Sequence, residues 1–557
     1  MEPTTFTPPG PGSWQLDVVH FPRPVTRLFA EIFPRQFAAG FDEGARAYGA
    51  LLDTLEFAPV NGFMYFVPRP VGAPKGAKGV PPRFLFKLLL RLHPELRHRV
   101  TAARETFLTR RWRNDLRLWD EERKPAAIQQ HLALQAVDLA ALPADAFFTH
   151  LQRCHDHWGR MIALHHRFDV AALLPVGDFI AHAAAWSGLG PARLCVLLSG
   201  ASDVSSGASA ELDRLRAALR ADAKGRALID AAQPPREIVA RLRSVDGELG
   251  AAARGWMDLV SYRLQNGLDI SELTNGETPE LLLTTIRGAL NGTTGPHRNV
   301  DADVATVRER VPPTHHNQFD ELLANARLMY RLRDERGLYG DIWAAGIMRL
   351  GVLEAGRRLV AAGRLERAEL LLDAGWDEIR ALLMDGNGPT NAALADRAQR
   401  RAAPADPPPA LGPASSGPPP ASWLLRDSAR FEQAIAMGIA EIWTESSAPS
   451  EARRVRGIGV SAGTAEGIAR VVHDVNGFAK LRQGDILVTR STTAAFNVVL
   501  PLLSGIVTDR GGTLSHSAIV AREYGIPAVV GSRDATRIIP DGVRIRVDGN
   551  VGEALVL

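Results

Sequence analysis

The sequence predicts a multidomain protein with a large, mostly α-helical N-terminal region followed by a C-terminal α/β domain. Its 557 residues exceed the size that a single hydrophobic core usually serves. Apolar residues recur at helical spacing through most of the chain before about residue 450. Segments typical of strands concentrate after about residue 455, where short apolar runs alternate with glycine-rich turns. We therefore expect helices to dominate the first part and a sheet to organise the second.

Helices of the N-terminal region can be placed from the spacing of their apolar residues. The longest should break near Gly337 or Gly340, because glycine weakens a helix interior. Packing against other helices explains all of these patterns. They therefore predict structural helices and do not by themselves indicate a function. The predicted helices are residues 84–92 leading into a charged stretch that ends near Glu122, residues 144–170, residues 209–221, and residues 319–362.

Two segments have the composition of flexible connections. Residues 402–422 are rich in proline and read as an exposed linker or as an excursion from the helical domain. Residues 446–456 begin with serine, alanine and proline, which suits a hinge. The expected organisation is a helical domain over residues 1–445, a hinge over 446–456, and an α/β domain over 457–557.

One histidine stands at the start of a predicted helix in the C-terminal domain. An apolar run that ends at Thr508 reads as a strand, and the pair Gly511-Gly512 allows a tight turn with positive backbone angles. Ser515 is the predicted N-cap, so that His516 occupies the first helical turn. The helix should end at Gly525, and residues 528–531 should form the next strand.

A histidine at a helix start is suited to phosphoryl chemistry. Unpaired backbone amides and the positive end of the helix dipole favour an attached anion there. The same dipole opposes the cationic ring, so the imidazole of His516 stays neutral and nucleophilic. We expect Gly511, Gly512 and Ser515 to stabilise the phosphate. Arg522 is a further candidate for this role, although ion pairing of Arg522 and Glu523 explains them equally well.

The motif at residues 511–531 resembles the phosphohistidine, or swivelling, domain of the PEP-utilising enzyme family. The likeness continues through residues 457–472 and 484–489 before the motif and 541–552 after it. Two positions depart from the family pattern. Ala494, Ala495 and Phe496 follow the threonines where the family usually has proline and a polar residue, and Leu514 stands where the pyruvate-dikinase branch has threonine.

The layout that this resemblance implies is closest to rifampicin phosphotransferase and to the histidine-bearing subunit of phenylphosphate synthase. The chain ends too soon after His516 for the barrel of roughly 250 residues that handles pyruvate in other members. Residues 1–450 show neither an ATP-grasp pattern nor a phosphate-binding glycine loop. The resemblance therefore implies a separate ATP-grasp protein as partner, with ATP and Mg²⁺ bound there and no tightly bound cofactor here.

The helical region resembles the substrate-binding part of the same relatives, which implies a small organic acceptor with a hydroxyl group. Tryptophans such as Trp112 and Trp158 are compatible with an apolar acceptor, and equally with ordinary core. Arg263 is a candidate substrate-binding residue from this resemblance. Ser261 and Tyr262 precede it where the related domain has glycine and histidine, which departs from the pattern.

Two functions follow from these features. The leading hypothesis is a phosphotransferase subunit that carries a phosphoryl group on His516 from the ATP-dependent partner to the acceptor hydroxyl. The product is then a phosphate ester or, after elimination of water, an alkene. The alternative is a non-catalytic phosphocarrier or regulatory protein whose helical domain binds another protein.

Composition restricts the remaining classes. A net charge of +3 with dispersed arginines argues against nucleic-acid binding. Cys154 and Cys195 are too few for a disulfide framework, which agrees with a reducing compartment. Several histidines near Cys154 lack the spacing of a helical zinc site, so no metal is predicted. Neither a signal peptide nor an 18-residue apolar run is recognisable, so we expect a cytoplasmic protein with no membrane partner.

Overall fold

A computed structural model describes residues 5–77, 79–202, 209–290, 300–403, 406–415, 417–443 and 450–557. Helices fill most of the described N-terminal region, and a sheet organises the C-terminal part, as the sequence predicts. The described residues form two compact units. The first unit comprises Met1–Ala171, Tyr262–Thr274 and Glu335–Glu432, and the second comprises Ala172–Ser261, Asn275–Asp334 and Gln433–Leu557.

The helices and strands are as follows. The α-helices are α1 Arg27–Tyr48, α2 Arg83–Leu92, α3 Pro94–Thr109, α4 Arg111–Leu118, α5 Lys124–Gln135, α6 Ala144–Arg167, α7 Asp169–Ser187, α8 Pro191–Leu194, α9 Ala210–Ala221, α10 Ala223–Ile229, α11 Pro235–Ser244, α12 Gly247–Val260, α13 Pro279–Leu290, α14 Asp301–Glu309, α15 His316–Tyr330, α16 Leu332–Arg336, α17 Ile342–Ala361, α18 Trp376–Met384, α19 Asn391–Ala402, α20 Arg426–Trp443, α21 His516–Tyr524 and α22 Ala535–Ile538. The strands are β1 Trp14–Leu16, β2 Leu52–Val60, β3 Phe63–Pro70, β4 Ala410–Leu411, β5 Arg454–Arg456, β6 Ile458–Ser461, β7 Thr464–Val471, β8 Asp485–Thr489, β9 Leu503–Thr508, β10 Ala528–Val530, β11 Arg544–Asp548 and β12 Glu553–Val556.

The predicted helix breaks occur where the chain cannot keep regular α geometry. Between α16 and α17 the backbone forms a π-helical turn at Gly337–Asp341, and Gly340 leaves helical angles with φ −123° and ψ −112°. This confirms the break expected near these glycines. A second π-helical turn at Trp119–Arg123 joins α4 to α5. Such turns interrupt the regular hydrogen-bond ladder and bend the helix.

The first unit contains a four-stranded antiparallel sheet, in a region where the apolar pattern predicts only helices. Its strand order is β2-β3-β1-β4. The hairpin β2–β3 turns at Asn61-Gly62, where both residues have positive φ. Asn-Gly between two apolar runs is a strong hairpin signal, so the sequence carried this information. The edge strand β4 belongs to the proline-rich segment and pairs with β1. Part of that segment is therefore a strand of the sheet and not a free linker.

Helices α1 and α6 pack very closely in the first unit. A Cβ atom at Gly40 of α1 would lie 1.9 Å from the carbonyl oxygen of Ala163, and one at Gly44 would lie 2.4 Å from that of Arg167. Glycine is required at these positions because the α6 backbone occupies the space of any side chain. Buried aromatic rings such as Phe29 and Phe33 fill the adjoining core.

The second unit combines helices with the C-terminal sheet. The strand order is β5-β12-β11-β7-β8-β9-β10-β6. Strands β7, β8, β9 and β10 are parallel neighbours, and the outer pairs are antiparallel. Helix α21 connects β9 to β10, so residues that follow β8 and β9 lie at the same edge of the sheet. The predicted closing hairpin is present as β11 and β12.

The sheet of the C-terminal part begins within the segment that is predicted as a hinge. Residues 454–456, assigned to the hinge by composition, form strand β5 and pair with β12. The pairing satisfies their backbone groups, which a free hinge would leave to water. Residues 446–449 of the predicted hinge, together with 404, 405 and 416 of the proline-rich segment, lie outside the described residues.

Among the described residues, one helical stretch, Ala144–Ser187, is long and apolar enough to cross a membrane by length and composition. The most apolar window of that stretch is 67% buried inside the protein. The core helices of soluble proteins pass the same test, so this is weak support for a span.

Candidate active site

The local structure around His516 follows the sequence prediction. Strand β9 ends at Thr508, the chain turns through Gly511, and α21 begins at His516. The hydroxyl of Ser515 caps the helix by accepting from the amide of Ala518 at 3.4 Å. Gly525 ends the helix in the left-handed conformation with φ 65°. The strand–turn–helix–strand unit is therefore confirmed, with His516 in the first helical turn.

Gly511 is needed for the tight turn before the helix. It has φ 106°, whereas Gly512 is not among the residues of positive φ. A Cβ atom on Gly511 would lie 2.7 Å from both Cβ and Oγ of Ser515. The absence of a side chain at Gly511 thus lets the capping serine fold back over the turn.

The imidazole of His516 uses one nitrogen for a hydrogen bond and leaves the other free. Nδ1 lies 2.8 Å from Oγ1 of Thr492, and that oxygen lies 2.9 Å from Oγ of Ser517. Nε2 is buried and has no hydrogen-bond partner in the described part of the chain. Thr492 reaches the ring because it follows β8, whose carboxyl end lies beside that of β9. The ring is therefore oriented through Nδ1, and Nε2 is the nitrogen without a hydrogen bond in the described residues.

The pKa of His516 is lowered to about 4, mainly because burial disfavours the cationic ring. The carboxylate of Asp334 opposes this shift, and the guanidinium of Arg333 adds to it. At neutral pH the imidazole is therefore uncharged. An uncharged ring has a lone pair, which a nucleophile requires.

The turn before His516 is held by the end of helix α20 in the same unit. The amides of Gly512 and Leu514 donate to the carbonyl oxygens of Ile442 at 3.2 Å and Glu441 at 2.9 Å. The hydroxyl of Thr513 donates to the Glu441 carboxylate at 2.5 Å. Burial raises the pKa of Glu441, and the Thr513 hydroxyl opposes that shift. Four consecutive residues, 512–515, thus have defined backbone or side-chain partners.

Arg333 adds a contact that sequence reasoning missed. Its guanidinium donates to the carbonyl oxygen of Leu514 and also lies 3.2 Å from the carboxylate of Asp334. Leu514 and Ile519 meanwhile pack into the buried apolar cluster formed by α7, α15 and their neighbours. The segment that carries His516 is therefore anchored by polar contacts on its backbone and by two apolar side chains.

Arg522 and Glu523 are both buried on α21. Nη2 of Arg522 donates to the carbonyl oxygen of Thr513 at 2.7 Å, and Nη1 is buried without a partner in the described part of the chain. The Glu523 carboxylate accepts from the amide of Gly200 at 2.8 and 2.9 Å. Arg522 thus supports the turn in this arrangement, and a direct contact with phosphate stays a prediction.

Arg263, the predicted substrate-binding residue, belongs to the first unit. Its guanidinium lies over the rings of Tyr339 at 4.9 Å and Trp343 at 5.2 Å from their centroids. Such stacking holds a cation against aromatic faces. The role of Arg263 in binding stays a prediction.

The first unit also contains a buried polar group that resembles a metal site by composition. Ligand atoms of His165, His166 and Asp169 lie within 4.8 Å of one another. The Asp169 carboxylate, however, accepts from the guanidinium of Arg336 and lies 2.9 Å from Nδ1 of His166. These internal bonds account for the positions of Asp169 and of the His166 ring, and the absence of a metal stays a prediction.

Comparison with known proteins identifies two parts of the chain. Residues 481–552 match the family model described as PEP-utilising enzyme, mobile domain. Residues 171–338 match the model described as rifampicin phosphotransferase fourth domain. The first match contains Thr492 and His516, and the second contains Arg333 and Asp334. The C-terminal sheet domain therefore matches the mobile domain of PEP-utilising enzymes.

Individual relatives agree with the family models. A rifampicin phosphotransferase of a Streptomyces species is 53% identical over 96 residues, which are 17% of this chain and 11% of that protein. A rifampicin phosphotransferase of Bacillus cereus is 47% identical over 109 residues, or 20% of this chain and 12% of the relative. The uncharacterized protein Mb2073c of Mycobacterium bovis is 28% identical over 354 residues, covering 64% of this chain and 36% of that protein.

The chain thus spans only about an eighth or less of the rifampicin phosphotransferases that it matches. Its similarity to them lies in the part that matches the mobile-domain model and in the part that matches the fourth-domain model. Among solved structures, aconitase X of Thermococcus kodakaraensis in its holo-form is 20% identical over 19% of this chain and 98% of that chain. The TM-score of 0.15 is too low to indicate a shared fold.

Proposed function

We propose that this protein is a phosphotransferase that carries a phosphoryl group on Nε2 of His516. The observation that carries the proposal is the state of the His516 ring. Its Nδ1 is bound to Thr492, its Nε2 is buried without a partner, and its pKa is lowered to about 4. A neutral, oriented imidazole with one free nitrogen is a suitable phosphoryl acceptor.

The hydrogen-bond chain favours the tautomer that this chemistry needs. If Nδ1–H donates to Thr492, the Thr492 hydroxyl is free to donate to Ser517, and Nε2 retains its lone pair. Thr492 then holds the ring in the reactive orientation, in the way that a carboxylate orients histidine in a catalytic triad. This gives Thr492 a positioning role.

The chemistry proceeds in two displacements. The Nε2 lone pair forms an N–P bond while the P–O bond to the nucleotide breaks, and the nucleotide product leaves. An acceptor oxygen then forms a new P–O bond while the N–P bond breaks, and its proton passes to a base. The amides at the start of α21 and the guanidinium of Arg333, which acts electrostatically on His516, support the charge of the phosphorylated ring.

The proposed donor is ATP bound with Mg²⁺ on a separate ATP-grasp protein, and the proposed acceptor is a hydroxyl of a small, apolar organic molecule. The similarity of both matched parts to rifampicin phosphotransferases supports transfer to an organic hydroxyl. We propose that the protein works in the cytoplasm, where ATP is supplied. The product is a phosphate ester or, if water is then eliminated, an alkene.

The test is to incubate the purified protein with ATP labelled on the β or γ phosphate, with and without a candidate ATP-grasp protein. We expect acid-labile, alkali-stable label that requires the partner and is lost in His516→Ala. Addition of hydroxylated apolar compounds should then discharge the label from the wild-type protein.

Two outcomes would count against the proposal in different ways. Label that persists in His516→Ala would refute His516 as the carrier. Label on His516 that passes to another protein, and never to a small hydroxyl compound, would favour the phosphocarrier alternative.

A further inference from the structure

Helix α2, Arg83–Leu92, is attached to the first unit through only one of its faces. Leu90 is buried, and Phe86 and Leu89 pack with it against Val71 and Leu424. This face fixes the helix on the protein surface. The remaining positions of the helix are directed away from that core.

The outward face of α2 is apolar along its length. Phe84 is 77% exposed, Leu88 48% and Leu92 66%. These residues are spaced four apart and therefore form one stripe along the helix, which Leu85 widens. A row of large exposed apolar side chains on one short helix is unusual for a surface that meets only water.

A row of cations lies directly beside this apolar stripe. Arg83, Lys87 and Arg91 each precede one of the stripe residues and follow the same spacing of four. All three are exposed, and none forms an ion pair within the part of the chain that the structure describes. The helix contains no acidic residue, so its charge is not neutralised along its own length.

We propose that α2 docks this protein on an anionic lipid surface, with its apolar stripe in the interface and its cations at the headgroups. Phenylalanine and leucine next to lysine and arginine are typical of helices that lie in a membrane interface. Protein interfaces instead concentrate binding energy in tryptophan, tyrosine and arginine, and leucine is under-represented there. The composition of the stripe therefore favours lipid over a protein partner.

This mode of attachment is different from membrane spanning. At ten residues, α2 is about 15 Å long and far too short to cross a bilayer. A helix of this kind sinks only about 5–10 Å into the headgroup region. The prediction of no membrane partner rests on the lack of a spanning segment, and the proposed docking is an attachment of a different kind. The proposal is independent of the phosphotransfer chemistry.

The test is co-sedimentation of the 557-residue protein with vesicles of phosphatidylcholine alone and of phosphatidylcholine with 30% phosphatidylglycerol. We expect binding to the anionic vesicles, weaker binding to the neutral ones, and partial release by 0.5 M salt. Lys87→Gln should lower the partition coefficient about fivefold, as expected for loss of one interfacial cation. Phe84→Ser with Leu88→Ser should abolish binding.

Leu108→Ser is the matched control, because Leu108 is 71% exposed but lies on α3 outside the stripe. It should bind anionic vesicles like the wild type, and unchanged melting temperatures should accompany all variants. Equal binding to neutral and anionic vesicles, or no loss in the Phe84–Leu88 double variant, would overturn the proposal. So would wild-type protein that ignores vesicles but loses a protein partner when α2 is changed.

Discussion

Two buried histidines in this molecule have nearly the same acidity but very different surroundings. The pKa of His157 and that of His516 are both lowered to about 4, and burial is the main cause for each. Each ring also has one buried nitrogen without a partner in the described part of the chain. His157, however, lies inside the long helix α6, with Nε2 2.9 Å from Nδ1 of His131.

The difference shows that a lowered pKa does not identify a nucleophile. Nε2 of His131 in turn lies 3.2 Å from the carbonyl oxygen of Tyr339. The His131–His157 pair therefore supplies hydrogen-bond partners to polar atoms in the interior of the first unit. His516 instead is the first residue of helix α21, after a glycine turn at the carboxyl ends of parallel strands β8 and β9. Position at a helix start, together with an orienting hydroxyl, distinguishes the candidate site from a structural histidine.

The largest expected effect comes from removing each imidazole in turn. His516→Ala should lower phosphoryl labelling at least about 1,000-fold, because the group that forms the N–P bond is lost. His157→Ala should keep labelling within about threefold of wild type and should lower the melting temperature, since it removes the partner of the buried Nδ1 of His131. Quantitative labelling and thermal unfolding measure the two effects. Loss of labelling in a well-folded His157→Ala protein would contradict a purely structural role for His157.

The orienting hydroxyl should have the next largest effect. Thr492→Val keeps the shape of the side chain but removes the bond to Nδ1, so the rate of labelling should fall about 10- to 100-fold. Ser504→Ala, which removes a hydroxyl bonded to the Gly484 carbonyl on the same sheet, is the control and should label normally. A normal rate in Thr492→Val would mean that the ring needs no such orientation.

Alanine substitutions at two glycines beside α21 distinguish the free-energy cost of a positive φ from the cost of steric crowding. Gly525→Ala imposes only a left-handed φ, because nothing lies within 4 Å of the new Cβ, and should cost about 1 kcal/mol. Gly511→Ala imposes the same kind of strain and also contacts Ser515, so it should cost a further ~1–2 kcal/mol. Chemical denaturation compares the pair. Equal costs would show that the turn adjusts without disturbing the cap.

A further expected effect concerns the pH dependence of the free energy of unfolding. Both histidines have a folded pKa near 4 and an ordinary value of 6.5, so the unfolded chain takes up protons first as the pH falls. The stability of the neutral rings is therefore lost between about pH 6.5 and 4, by at most ~1.4 kcal/mol per pH unit for each ring. Melting temperatures from pH 7.5 to 4.5 should fall less steeply in either alanine variant. If the melting temperatures of the alanine variants fell with pH as steeply as those of the wild type, the lowered pKa values of the two histidines would be contradicted.

The sequence was most informative where the structure is local. Gly511, Ser515 and Gly525 lie within a few residues of His516, and their conformational roles follow from short-range rules. Thr492 could be recognised only after β8 and β9 are known to be parallel neighbours. Glu441 and Arg333 come from 72 and 181 residues away from their partners, distances over which a single sequence gives no pairing signal.

The sheet of the first unit shows two different reasons for a missed element. Asn61-Gly62 predicts the turn of the hairpin β2–β3, but the helical spacing of apolar residues in the rest of the region outweighed it. Strands β1 and β4 contain only three and two residues, too few for periodicity to register. Pairing between distant segments, rather than propensity, defines these short strands.

The hydrogen bonds between α20 and the turn before His516 determine how that turn responds to substitution. Two of its bonds come from the backbone amides of Gly512 and Leu514, and every amino acid except proline supplies the same donor. Substitution at position 514 would therefore alter the fit in the apolar cluster while leaving that amide contact in place. Engineers could vary this side chain to adjust how tightly the histidine segment is retained, and only proline would remove the amide donor itself.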